Sequence, residues 1–186
     1  ELSVSYDPDP EKRANVTRFV EGVTTGDADL LRYMQRLLGY ALTGEVSERS
    51  LFILWGVGCN GKSSIVNIME AVMGPMFTAI SESVMINRER RGGATPELIP
   101  LITARLAVFS ESESGAKLNS TRIKNLTGSD KISARQLYGK QITFRPQAKL
   151  FMMTNHLPEF DFRDRAMVDR VTLIPFSARF EVTQEN

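Results

Sequence analysis

The sequence has one cysteine and one histidine among 186 residues, and this scarcity excludes several kinds of protein. A single cysteine cannot form an internal disulfide scaffold or a zinc site with several cysteines, and a single histidine cannot form a cage of several histidines. No apolar run approaches the roughly 20 residues that a membrane-spanning helix needs, so we expect no membrane partner. The first residues have neither the basic end nor the apolar stretch of a signal peptide. The chain does not begin with methionine, and we expect it to be a piece of a longer protein.

A net excess of charge is also nearly absent, since the formal net charge is +1. Apolar residues make up 42% of the chain and charged residues 24%, which are ordinary values that exclude global disorder. The charge is nevertheless unevenly distributed, because residues 117–150 contain eight basic residues and one acidic residue. Such a stretch indicates a surface for anions or nucleic acid, although a solvated basic face would show the same pattern.

Apolar periodicity divides the chain into a helical N-terminal region, residues 1–48, and a core, residues 49–186. Residues 11–23 and 27–42 have apolar side chains at helical spacing, and this region is a candidate part of an oligomerisation subdomain. In the core, a short helix is predicted at 97–103 and a polar loop at 87–96. Continuous apolar runs predict buried strands at 50–55, 106–109, 149–154 and 171–174. Strands alternating with helices indicate an α/β fold with a mostly parallel central sheet.

A phosphate-binding motif follows the first predicted strand. Residues 56–63 match the pattern GxxxxGK[ST], and a predicted helix follows them, as the motif requires. The glycines allow backbone N–H groups to surround a polyphosphate, and the helix contributes its positive N-terminal end. We expect Lys62 to reach the β- and γ-phosphates and Ser63 to bind Mg²⁺. The predicted ATP site consists of Gly56, Val57, Gly58, Cys59, Asn60, Gly61, Lys62, Ser63 and Ser64.

Polar residues also end two other predicted strands. Glu111 follows the strand at 106–109 and is the candidate for the acid that holds Mg²⁺ or orients water. Glu113 is a second candidate, although a surface charge is the simpler interpretation for it. Asn155 follows the strand at 149–154, where its amide could bind the γ-phosphate or the attacking water. The sequence thus predicts a catalytic site that combines the phosphate loop with Glu111 and Asn155.

The order of these motifs resembles the superfamily 3 helicases of viruses, phages and plasmids. The phage and plasmid primase-helicase group, in its helicase half, is the best match. The resemblance runs from about residue 30 to residue 180 and includes Arg170 beyond the residues named above. Its further segments are Gln35–Tyr40, Ile123–Asp130, Ser133–Tyr138, Thr154–Pro158 and Asp169–Phe176.

The resemblance implies an AAA+-like ATPase core with ATP and Mg²⁺ as cofactors. It implies an ATPase coupled to DNA unwinding in phage or plasmid replication, assembled as a hexameric ring around single-stranded or forked DNA in the bacterial cytoplasm. Arg170 matches the arginine finger, which a neighbouring subunit supplies to the γ-phosphate. Lys124 and Arg165 are weaker candidates for the same surface, with a surface ion pair as the simpler interpretation. A primase domain is expected elsewhere in the parent chain.

The resemblance also places a DNA-binding hairpin at about 131–144. Polar and apolar residues alternate there around Tyr138-Gly139, which is a hairpin signal, and the segment lies inside the basic stretch. Lys140 and Arg135 are the first candidates for phosphate contacts, followed by Lys131. Tyr138 would stack on a base or pack against a neighbouring hairpin. Contacts of this kind predict salt-dependent binding that is largely independent of DNA sequence.

Two other functions remain open at this point. A small-molecule kinase of the phosphate-loop class would suit the size of the chain, but it would need a lid with arginines rather than a basic hairpin. A non-catalytic DNA-loading module would bind ATP without hydrolysing it. The complete set of Lys62, Ser63, Glu111, Asn155 and Arg170 favours hydrolysis.

Overall fold

Five strands form one parallel sheet in the computed structural model, which describes residues 9–86, 95–111, 115 and 117–181. Their order across the sheet is β2-β3-β6-β1-β7, and each neighbouring pair is parallel. The strands of this sheet are β1 (Leu51–Trp55), β2 (Phe77–Ala79), β3 (Leu106–Glu111), β6 (Lys149–Thr154) and β7 (Val171–Pro175). A separate antiparallel hairpin consists of β4 (Ile132–Arg135) and β5 (Gln141–Phe144).

Helices cover both faces of this sheet. They are α1 (Pro10–Val23), α2 (Ala28–Ala41), α3 (Lys62–Met73), α4 (Glu82–Met85), α5 (Ser120–Thr127) and α6 (Arg165–Val168), with 3₁₀ helices at Gly74–Met76 and Pro96–Ile102. α1 begins one residue before the predicted start because Asp9 accepts a hydrogen bond from the Glu11 N–H and proline suits the first helical position. Asp27 caps α2 in the same way through the N–H groups of Asp29 and Leu30.

Alternation along the strands creates two apolar clusters, one on each face of the sheet. On β1, Leu51 and Ile53 belong to the cluster with α4, α5, the Pro96–Ile102 helix and the hairpin. Phe52 and Leu54 belong to the other cluster, together with buried residues of α1, α2 and α3. The small N-terminal helical region therefore packs directly on the sheet.

The structure confirms the α/β fold with a mostly parallel central sheet, and all four predicted strands are present. It adds β2, which is only three residues long and stands at the edge of the sheet, and it adds α4, α5 and α6. The predicted helix at 97–103 is a 3₁₀ helix. Most of the loop predicted at 87–96 lies outside the described residues. No helix in the described part of the chain is long and apolar enough to cross a membrane.

Candidate functional site: the carboxyl edge of the sheet

The loop between β1 and α3 adopts a conformation that requires glycine at its first position. A Cβ atom on Gly56 would lie 2.2 Å from the carbonyl oxygen of Phe176 and 2.4 Å from the amide nitrogen of Asn60. Gly58 and Gly61 have φ angles of 26° and 88°, in the region that glycine occupies without strain. The loop runs directly into α3, whose first turn has N–H groups without helical partners. Such a loop and helix start can surround an anion.

Lys62, the first residue of α3, is 6% exposed and lies among neutral oxygen atoms. Its Nζ donates to the carbonyl oxygen of Gly56, and it lies 3.2 Å from Oδ1 of Asn60 and 3.2 Å from Oδ1 of Asn155. Burial lowers the pKa of this lysine because removal from water disfavours its charged form. None of these three oxygen atoms carries a formal charge, so the ammonium group can exchange them for an anion. Ser63 and Ser64 follow it as exposed residues of the first turn of α3.

Asn60 links the loop to the neighbouring strand. The residue is 3% exposed. Its Nδ2 donates to the carbonyl oxygen of Phe176 at 3.1 Å, and its Oδ1 faces Lys62. Both ends of the amide are therefore bound, and the orientation of the group is fixed. The sequence placed Asn60 in the loop, but its contact with the segment after β7 became visible only in the structure.

Asn155 reaches Lys62 because β6 is the neighbour of β1. Trp55 pairs with Thr154 at the ends of the two strands, so the phosphate loop and Asn155 leave the sheet side by side. The hydroxyl of Thr154 donates to the carbonyl oxygen of His156 at 2.6 Å and accepts from the His156 N–H at 3.0 Å. This local turn holds Asn155 at the edge of the sheet. The structure thus brings together Lys62 and Asn155, which are 93 residues apart in the chain.

Glu111 is the last residue of β3 and pairs in register with Thr154 of β6. Its backbone therefore lies at the same edge of the sheet as Asn155 and the phosphate loop. Glu113 lies outside the described residues. The predicted roles of both glutamates stay predictions.

A cavity of about 750 Å³ adjoins the first half of the phosphate loop. Its walls are Trp55, residues 56–59 of the loop and residues 175–181, which begin at the last residue of β7. The ring of Phe180 packs on that of Phe19 from α1, with 6.2 Å between the ring centres. The N–H of Phe180 also donates to the carbonyl oxygen of Cys59 at 2.8 Å. This wall was not predicted from the sequence, because residues 177–181 lie beyond the Asp169–Phe176 segment and carry no motif.

Arg170 lies at the opposite edge of the sheet. Its carbonyl oxygen accepts a hydrogen bond from the Leu51 N–H at 2.7 Å, at the beginning of β1. The phosphate loop begins after Trp55, four residues further along β1, or about 13 Å at the usual rise per residue. Arg170 therefore does not face the phosphate loop of its own chain. Nearby, Lys124 forms an ion pair with Asp164 at 2.8 Å, and this contact lowers the pKa of Asp164.

The hairpin of β4 and β5 has one polar and one apolar face. Ser133 and Arg135 are exposed on the polar face, where the Ser133 and Thr143 hydroxyls lie 3.0 Å apart. Ile132, Ala134 and Phe144 face the core. The backbone of Arg135 is bound to Thr95 on both sides, since its N–H donates to Oγ1 at 3.2 Å and its carbonyl accepts from the N–H at 2.9 Å.

The tip of the hairpin extends into solvent. Tyr138 has a positive φ of 58° and is fully exposed, with Leu137 beside it at 64% exposure. Lys131 and Lys140 are exposed as well. The residues predicted to contact DNA thus lie along one exposed hairpin, and their role stays a prediction.

The chain is similar to known proteins in its sequence and in its fold. The model of a family described as "Family of unknown function (DUF5906)" matches residues 54–170. This match includes the phosphate loop, the strands β3 and β6, the hairpin and Arg170.

Curated viral proteins are similar over most of this chain. A protein of Acanthamoeba polyphaga mimivirus, provisionally named helicase L207/L206, is 31% identical over 95% of the chain and 18% of its own length. A Frog virus 3 protein, provisionally named helicase 022R, is 30% identical over 83% of the chain and 16% of its own length. Primase D5 of Fowlpox virus is 26% identical over 81% of the chain and 19% of its own length. The chain therefore spans about a fifth of the length of these relatives.

Solved structures share the fold at low sequence identity. An apo structure of the NrS-1 C-terminal region has a TM-score of 0.65 at 11% identity and covers 96% of this chain and 44% of that chain. A JCV helicase has a TM-score of 0.52 at 15% identity over 88% of this chain and 46% of that chain. At these identities the likeness supports the architecture alone.

Proposed function

We propose that this chain, which belongs to the DUF5906 family, is the ATP-hydrolysing part of a ring-forming DNA helicase. The observation that carries the proposal is the position of Lys62, buried between the glycine loop and Asn155 and held by neutral oxygen atoms. The names of the viral relatives, which include helicases and a primase, support the same class of activity.

The residues present fit a magnesium-bound nucleoside triphosphate. Bound at this edge, ATP would supply the γ-phosphate that is cleaved, and Mg²⁺ would offset the charge of the phosphates. Lys62 would exchange neutral oxygen atoms for phosphate oxygens, assisted by N–H groups of the loop and of α3. Ser63 and Glu111 are the proposed residues on the side of the metal. Asn155, in contact with Lys62, would orient the γ-phosphate or the attacking water, with Glu111 or Glu113 accepting the proton of that water.

The base and ribose have one available place beside the loop among the described residues. β1 lies between β6 and β7, so the loop has Asn155 on one side and residues 175–181 on the other. Since Lys62 and Asn155 mark the γ-phosphate end, the nucleoside would occupy the 750 Å³ cavity on the β7 side. Its apolar walls suit an aromatic base.

Hydrolysis would require a second subunit. Arg170 lies at the amino edge of the sheet, away from its own phosphate loop, so it would act on the nucleotide of a neighbour. A guanidinium at the γ-phosphate stabilises the charge of the transition state. We propose a closed ring, hexameric by the resemblance to superfamily 3, in which each interface combines one loop with one Arg170.

DNA would bind along the exposed hairpin. Arg135, Lys140 and Lys131 would contact phosphates, and Tyr138 at the tip would stack on a base. A kinase would not need such an element, and no feature of the described residues favours that alternative. Three further points remain proposals. They are the assignment to the phage and plasmid group, a primase domain in the parent chain, and a location in the bacterial cytoplasm.

Release of inorganic phosphate from Mg-ATP, with and without single-stranded DNA, tests the function. We expect Mg-ATP to bind, phosphate to be released in the oligomeric state, and the rate to rise with DNA. Binding without phosphate release, in samples shown to be oligomeric, would leave only a nucleotide-binding module. Transfer of the phosphate to a small acceptor would identify a kinase instead.

A further inference from the structure

The side chain of Arg170 is held in place by two neutral groups of its own chain. Its Nε donates to Oγ1 of Thr127 at 3.2 Å, and its NH1 donates to the carbonyl oxygen of Ala166 at 2.6 Å. A carboxylate partner would offset the positive charge, as Asp164 does for Lys124 at 2.8 Å. Hydroxyl and carbonyl partners fix the guanidinium and leave its charge for an external anion.

Thr127 is built to accept this hydrogen bond. It is the last residue of α5, and the residue is 4% exposed. Its hydroxyl donates to the carbonyl oxygen of Ile123 at 2.7 Å. A hydroxyl has one proton and two lone pairs, so this donation directs a lone pair at the Arg170 Nε–H.

The end of α5 keeps Thr127 in a fixed position. Gly128 follows it, and a Cβ atom there would lie 2.8 Å from the carbonyl oxygen of Lys124. The Gly128 N–H donates to that same carbonyl oxygen at 3.0 Å. Helix α5 is also tied to α6 by the Lys124–Asp164 ion pair. Both partners of Arg170 thus belong to two connected helices.

We propose that Thr127 is a positioning residue that aims the Arg170 guanidinium at the nucleotide of the neighbouring subunit. This proposal rests on the proposed action of Arg170 in trans. An arginine has a long, flexible side chain, and catalysis is sensitive to displacements of about 1 Å. The buried hydroxyl restricts the side chain before the subunits meet.

Thr127→Val and Thr127→Ser test the role of the hydroxyl. Valine keeps the branched shape and lacks the hydroxyl, whereas serine keeps the hydroxyl. A hydrogen bond to a charged group typically changes an equilibrium or rate constant by a factor of about 10 to 100. We therefore expect Thr127→Val to lower kcat by a factor in that range. Its KM, its binding of Mg-ATP and its unfolding midpoint should stay near those of the parent. The serine variant should retain most of the rate.

Mixing experiments separate a lost hydroxyl from a damaged fold. Thr127→Val keeps its phosphate loop, and Lys62→Met keeps Thr127 and Arg170, so mixed interfaces should recover hydrolysis. Thr127→Ala is the second variant if valine prevents folding, and the same loss and recovery are expected. Equal loss in the serine and valine variants would overturn the proposal.

A third variant distinguishes this proposal from the proposed function. If Arg170→Ala keeps full hydrolysis, the arginine finger itself is wrong. If Arg170→Ala is inactive while Thr127→Val and Thr127→Ala retain the parental kcat, the finger stands and the positioning role of Thr127 is wrong.

Discussion

Two buried lysines lie at opposite edges of the same sheet, and their surroundings differ in kind. Lys62 at the carboxyl edge is 6% exposed, and Lys149 at the amino edge is 3% exposed. Lys62 begins α3, directly after a glycine loop whose first half lines a cavity of about 750 Å³. The space beside Lys149 amounts to about 10 Å³. Burial alone therefore does not mark a lysine as part of a site, and the two lysines differ in that Lys62 contacts a glycine loop and the side chain of Asn155.

Lys149 secures the end of a helix. Its Nζ donates to the carbonyl oxygen of Thr43 and lies 4.9 Å from the centre of the Tyr40 ring. Arg105 donates to the carbonyl oxygen of Leu42 at 2.9 Å. Two cations thus bind carbonyl groups just beyond α2, where the helix dipole is negative. The partners of Lys149 are backbone and ring atoms at the end of α2, so this lysine stabilises the packing of the helix on the sheet.

The strongest test exchanges each lysine for methionine. Lys62→Met should abolish binding of Mg-ATP and hydrolysis, because the loop loses the cation that faces the phosphates. Lys149→Met, the matched control, should leave Mg-ATP affinity unchanged. Calorimetric titration with a non-hydrolysable ATP analogue measures both. Equal loss of affinity in the two variants would contradict the distinction between the edges.

The next test asks whether the amino edge also contributes to catalysis, through Arg170. Arg170→Ala should keep Mg-ATP binding and lose about 10³–10⁵ in rate, the usual contribution of an arginine finger. Arg165→Ala, a nearby exposed arginine, is the control and should change little.

Mixing inactive Arg170→Ala with inactive Lys62→Met should restore phosphate release in proportion to mixed interfaces. Exchange of subunits is verified by co-assembly of labelled protein. A mixture that exchanges and stays inactive would refute action in trans.

A smaller effect is expected in the pH dependence of stability. Burial, followed by the nearby charge of Arg105, lowers the pKa of Lys149 from 10.5 to about 8. Between these values the unfolded chain binds the proton and the folded protein does not, so stability rises with pH in this window. Relative to Lys149→Met, the parent should gain up to about 3 kcal/mol from pH 8 to 10.5. Urea unfolding at several pH values measures the free energy of unfolding of both proteins. If the two free energies change with pH in parallel, the lowered pKa of Lys149 is contradicted.

The smallest effect concerns the hairpin of β4 and β5, which is separate from the five-stranded sheet. Lys140→Ala should weaken binding to all single-stranded DNA sequences alike and reduce the salt slope by roughly 0.7 for one lost phosphate contact. Fluorescence anisotropy over a range of salt concentrations measures this, with Lys12→Ala in α1 as the control. An unchanged slope would make the basic stretch a solvated face.

Local patterns in the sequence predicted the parts of the fold that depend on neighbouring residues. The four apolar runs became β1, β3, β6 and β7, because a strand buried on both faces needs an uninterrupted apolar segment. The short edge strand β2 and the helices α4, α5 and α6 were missed, since segments of three to eight residues carry too little periodicity.

In the candidate site, too, the features that depend on neighbouring residues were predicted, and those that depend on distant residues were not. The glycine loop between β1 and α3 was predicted because its spacing is local, and its binding of phosphate stays a prediction. The cavity wall that includes Phe176 and Phe180 was not predicted. Asn155 was placed near the loop by its position after a strand, and its contact with Lys62 required the β1–β6 pairing.

The sequence by itself determined the phosphate loop, the buried strands and the basic hairpin, because each depends on residue types at short, fixed spacing. Only the tertiary structure decided which buried lysine contacts Asn155 and at which edge Arg170 lies. It also decided that Thr127 holds Arg170, 43 residues further along the chain. Such pairs form when strand order and helix packing bring distant segments together, and no local pattern encodes that order.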